Sequence, residues 1–163
     1  MDLEATVQSL HDREQLKMLR HQYARYIDTR EWNAFKELFV EDAQCTYQGL
    51  GTFDGHEGIL TLIEEYVAPA FEYSCHLLHN PILEVSAETA TGEWTLEALM
   101  AYDDGRFEWR QGQYSDEYVK TEDGWKFASV SLDSQAQQFW SYDMVDHESY
   151  GRIPRVGEHA SGL

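Results

Sequence analysis

The chain has 163 residues, 42% apolar and 13% aromatic, which suits a single domain with a sizeable core and leaves little room for disorder except at the ends. Thirty acidic residues oppose twelve basic ones, a formal charge of -18, and such a surface repels phosphate backbones and anionic lipid. Nucleic acid and membrane surfaces are therefore excluded as natural partners.

The start, MDLEATVQSLHDREQ, lacks a basic-then-apolar signal pattern, and no apolar run of about 18 residues occurs anywhere. A soluble cytoplasmic protein is expected. Cys45 and Cys75 have neither metal nor redox spacing, so reduced thiols are expected.

In chain order, Asp12 to Asp28 reads as a helix, with Leu16, Leu19, Tyr23, Tyr26 and Ile27 on one face. Glu31 to Phe39 reads as a second, short helix with Trp32, Phe35, Leu38 and Phe39 inward. Ala43 to Gln48 alternates as a strand, and GLGTFDG reads as a turn. Gly58 to Ala68 reads as a third helix burying Ile59, Leu62, Ile63, Tyr66 and Val67. Period-two patterning then predicts strands over Ser74–Val85, Thr89–Tyr102, Arg106–Lys120 and Trp125–Gln138, broken at SAET, DDG and EDG. Helices first and a long meander second is an α+β order. Three N-terminal helices should pack on a curved antiparallel sheet as a cone-shaped barrel over residues 1–140. Residues 141–163, poor in aliphatics, read as a C-terminal tail laid over the pocket or a subunit contact.

His76 in SCHLLHNP is either a hydrogen-bonded core histidine or a base, since a neutral imidazole is a versatile proton acceptor near pH 7. Strand alternation sends His76 and His79 to opposite faces, and no third ligand stands at zinc-like spacing. No metal site and no cofactor are expected. Asp28 is either a residue of the helix end, capping the next helix, or a carboxylate that orients a histidine. Tyr23 and Tyr47 are either core aromatics or hydrogen-bond donors to a substrate.

Several segments resemble a known family. YARYIDTREWNAFKELFVEDAQCTY is similar to the opening of SnoaL-like proteins in the nuclear transport factor 2-like superfamily. GTFDGHEGI resembles their next turn and helix, and SCHLLHNPILEV and DEYVKTEDGWKF resemble their histidine strand and last hairpin. The resemblance runs from about Leu10 to Phe139, and within the superfamily it points to the lyases, dehydratases and dehydrochlorinases. It implies His76 as base, Asp28 as its orienting partner and Tyr23 as a third catalytic group. Tyr47, Trp94, Met100 and Trp32 are the candidates for binding substrate. Two features of those lyases are replaced: a last-strand arginine, where this chain reads Asp133 and Ser134, and a second histidine, which falls near Met100.

The expected function is a cofactor-independent dehydratase or dehydrohalogenase acting on a small hydrophobic ring. An isomerase or polyketide cyclase, or a non-catalytic small-molecule-binding protein, would use the same scaffold. The resemblance also implies a homo-oligomer, trimer or dimer, with Trp109, Tyr114 and Tyr118 as candidate contacts on the outer sheet face.

Overall fold

A computed structural model describes residues 2–141; the residues after 141 assigned to the tail lie outside them. Asp2 caps the first helix, its carboxylate accepting from the N–H groups of Glu4 at 3.1 Å and Ala5 at 3.3 Å. Helix α1 spans Leu3–Thr29 and starts well before Asp12. Leu3, Val7 and Leu10 on its early turns are exposed among the described residues. From Leu16 onward Leu16, Leu19, Tyr23, Ala24 and Ile27 are buried. The helix stops at Arg30, whose left-handed backbone (φ 61°) returns its N–H to Ile27 O at 3.2 Å.

Helix α2 is only Trp32–Lys36, because Phe39 already belongs to strand β1, Phe39–Tyr47. GLGTFDG is not one turn. Leu50 N donates to Tyr47 O at 3.0 Å, and Gly51–Asp54 then forms strand β2, antiparallel to β1. Helix α3, Gly55–Thr61, continues as a π-helical segment, Leu62–Val67. Ile59, Leu62 and Ile63 are buried, but Tyr66 is exposed, contrary to its place on the predicted stripe. The wider π turn rotates later residues off the 3.6-residue stripe.

Strands β3 (Tyr73–Val85), β4 (Thr89–Ala101), β5 (Arg106–Thr121) and β6 (Gly124–Ser141) form the meander. The six strands lie in the order β2-β1-β6-β5-β4-β3. β1 pairs with β6 in parallel, so the sheet is mixed and not purely antiparallel. It is also open, with β2 and β3 as edges. Periodicity within a strand says nothing of its direction relative to a distant partner, so this pairing was not legible in advance.

Twice β6 spends an extra residue against β5, between the partners of Gln111 and Gly112 and of Glu117 and Tyr118. At the first shift Gly112 approaches the backbone of β6 closely. A Cβ there would lie 2.7 Å from Asp133 O, so only glycine fits without rearrangement.

The inner sheet face carries Trp94, Leu96, Ala98 and Met100 from β4 and Tyr114 and Tyr118 from β5, all buried. This corrects the outer-face assignment of Tyr114 and Tyr118. They have the opposite parity to Trp109, and β5 pairs with β4 without a shift, so the three cannot share a face.

Candidate active site

The last turn of α1 contains no basic residue, so Asp28 meets the negative end of the helix dipole without compensation. Its side chain does not cap α2, which begins after Glu31 without a side-chain cap. It crosses instead to β3 and accepts three hydrogen bonds there. Ser74 Oγ donates at 2.7 Å, the backbone N–H of His76 at 2.9 Å, and His76 Nδ1 lies 2.6 Å from Asp28 Oδ1. An ionised carboxylate has no proton to give, so the geometry favours the tautomer with hydrogen on Nδ1. Nε2 then carries the lone pair. The His76 side chain is 10% exposed and that of Asp28 21%, so the pair is shielded but reachable. Arg30 fixes the same corner, donating to Phe71 O at 2.5 Å as the chain approaches β3.

Tyr23 and Tyr47 meet each other, hydroxyl to hydroxyl. Tyr23 packs among Phe35, Phe39, Tyr114 and Phe127, ring centroids 4.8 to 6.0 Å away. Burial, then the neighbouring phenols, pushes both tyrosines well above the ordinary phenol range. They are hydrogen-bond donors at neutral pH, not bases. Burial likewise pushes the Cys45 thiol up to about 12, which makes it a poor nucleophile.

Met100 lies opposite Ser74 on β3, one inward row from His76. Trp94 is further along β4, and its indole N–H is taken by Tyr118 Oη at 3.0 Å. Trp32 is half-buried and lines a concavity of about 410 Å³ with Arg30 and Glu64. A second concavity, about 590 Å³, is lined by Phe39, Val40, His56 and Lys126 among others. Neither of these two concavities includes His76 or Asp28. The structure thus joins Asp28 to His76 and Tyr23 to Tyr47, places Met100 one inward row from His76 and Trp94 two, and puts Trp32 in a concavity that includes neither His76 nor Asp28. Among the described residues no cluster of three or more His, Cys, Asp or Glu forms a cation cage.

One group on the inner face escaped the sequence reading. Glu108 is fully buried, receives the Tyr102 hydroxyl, and accepts Arg110 Nε at 2.7 Å. Burial, then the bond to Glu108, pushes Tyr102 up to about 12, so it remains a donor. The signal was parity: Glu108 and Arg110 are in step with the inward Tyr114.

The model for the SnoaL-like domain matches residues 8–131. The chain belongs to the SnoaL-like family. An uncharacterized protein of Mycobacterium tuberculosis is 27% identical over 127 residues, 74% of this chain and 84% of that one. The gamma-hexachlorocyclohexane dehydrochlorinase of Sphingobium indicum is 30% identical over 104 residues, 63% of this chain and 67% of the enzyme. Among solved structures, a type 2 hexachlorocyclohexane dehydrochlorinase superposes with a TM-score of 0.79 at 24% identity, covering 84% of this chain and 94% of that one. A putative scytalone dehydratase of Novosphingobium aromaticivorans superposes at 0.76 and 22%, covering 91% and 99%. This SnoaL-like chain therefore has the nuclear transport factor 2-like α+β fold, in a family whose similar members include lyases. No helix among its described residues is long and apolar enough to cross a membrane.

Proposed function

We propose that this SnoaL-like protein is a cofactor-independent lyase of the dehydratase or dehydrohalogenase type, acting on a small hydrophobic ring. The observation that carries the reading is the 2.6 Å contact between His76 Nδ1 and Asp28 Oδ1, with Nε2 bonded to no described residue and able to act as a base. Nε2 takes a proton from a ring carbon. The C–H electron pair becomes the new double bond, and hydroxyl or halide departs with its own bonding pair. Asp28 holds the tautomer and stabilises the imidazolium, the part an aspartate plays behind a catalytic histidine. The Tyr23–Tyr47 pair, hydroxyl to hydroxyl, is the group that would donate a hydrogen bond toward the leaving group.

Placed proton transfer contributes about 10²–10⁴-fold to rate. His76→Ala should lower kcat/KM by that order and Asp28→Asn by somewhat less, with circular dichroism unchanged. Native turnover in His76→Ala would refute the base. Product mass separates this reading from an isomerase or cyclase: elimination loses water or hydrogen halide, and isomerisation loses nothing.

A further inference from the structure

His76, Ala98 and Arg110 occupy one cross-strand row: His76 pairs with Ala98 and Ala98 with Arg110. With strands about 4.8 Å apart, the Cα atoms of His76 and Arg110 stand roughly 10 Å apart, and their side chains leave the same face of the sheet. Only a methyl group lies between them. In the neighbouring row Leu78 and Leu96 are followed by Gly112 opposite Ser134, so the floor is low again beside Arg110. Arg110 is held from behind, its Nε on the buried Glu108 carboxylate, which Tyr102 fixes in turn. Its side chain is 31% exposed, and neither terminal nitrogen bonds a described residue.

We propose that Arg110 is a catalytic residue: its Nη groups bind the substrate oxygen that becomes negative when His76 removes the proton. This rests on the reading of His76 as base and narrows the substrate to a ring bearing a carbonyl next to the acidic carbon. As Nε2 takes that proton, the C–H pair forms a C=C bond and the carbonyl π pair moves to oxygen. The enolate oxygen accepts from Arg110. The enolate then collapses: C=O re-forms, the C=C pair shifts one bond along, and the group on the β carbon leaves with its bonding pair. A departing hydroxide takes the proton from His76 as water, and a halide leaves as the ion. Charge-assisted hydrogen bonds of this kind are aimed where charge develops.

The test uses 4-nitrophenolate, a coloured mimic of an enolate, and nitrobenzene, its neutral counterpart. Wild type should bind nitrophenolate and lower the pKa of the bound phenol. Arg110→Gln should weaken nitrophenolate about tenfold or more and abolish the pKa shift, leaving nitrobenzene affinity unchanged. Arg110→Lys should recover part of the loss. His76→Ala should keep the Arg110-dependent preference, so a failed base and a failed oxyanion contact give different results. Equal nitrophenolate affinity in wild type and Arg110→Gln, or no binding to wild type at millimolar probe, would overturn the proposal.

Discussion

Arg20 carries its charge into the middle of the core. The guanidinium lies 3.6 Å from the ring centroid of Tyr114 and 4.2 Å from that of Tyr23, with Asp116 Oδ2 3.5 Å from its Nε. No described residue accepts a hydrogen bond from its nitrogens, so the aromatic faces and Asp116 are what offset its desolvation. Burial pushes the Asp116 carboxyl up to about 6, against the opposing pull of Arg20 and the Tyr118 hydroxyl. A carboxyl raised by folding contributes stability below its unfolded value, 3.8, and loses it as pH climbs to about 6. Urea midpoints of wild type should therefore fall relative to Asp116→Asn as pH rises from 4 to 6, then run parallel. A gap that stays constant from pH 4 to 7 would rule out the raised carboxyl.

At the scale of elements, Asp12 clamps α1 to the β5–β6 hairpin. Its buried carboxylate accepts Lys120 Nζ at 2.8 Å and Trp125 Nε1 at 2.9 Å, with Gln8 Nε2 at 3.2 Å. Burial pushes this carboxyl up, but the donors together outweigh it and hold it below the ordinary value of 3.8. The sign is opposite to that of Asp116: the clamp is complete above the unfolded pKa and is lost as pH falls through the lower, folded one. Hydrogen bonds to a charged group are worth about 1.5–3 kcal/mol, so Asp12→Asn should cost roughly that at pH 7 and less near pH 3, read from denaturant melts. Asp12 also shows what sequence could and could not give. Its position at the start of the buried stripe was legible, because Leu16 to Ile27 recur at helical spacing. Its partners on β5 and β6, more than a hundred residues away, were not. The same limit explains Arg110: alternation puts it in step with Tyr114, but which parity of β5 is inward is set by its register against β4, where Tyr114 meets Trp94 and Arg110 meets Ala98. His76 and Asp28 were named from a resemblance, and their spacing alone left a capping role open. The structure removes that alternative by sending the carboxylate to β3.

At the scale of the molecule, the outer face of the meander is apolar at one end. Tyr73, Leu77 and Leu99 are exposed there, and Trp109 is half-buried. We expect a homo-oligomer, trimer or dimer, joined through this face, with Trp109 the one member of the original trio on the right side. Copies bearing a formal -18 repel one another, and screening shortens that repulsion from about 10 Å at 0.1 M salt to about 3 Å at 1 M. Light scattering should show the oligomer strengthening with salt, and Leu77→Glu with Leu99→Glu should yield a monomer. A wild type that stays monomeric at every ionic strength would refute the contact.

Because the sheet is open, β3 has a free margin, where backbone N–H groups ordinarily invite a strand from another chain. Here the invitation is withdrawn at two places. Pro81 has no N–H to offer and sits in the irregular stretch between His79 and Ile82, beside Asn80 with its left-handed backbone (φ 50°). At His76 the N–H is already taken by Asp28. The carboxylate that orients the imidazole thus also occupies a backbone donor that this edge would otherwise offer to an incoming strand.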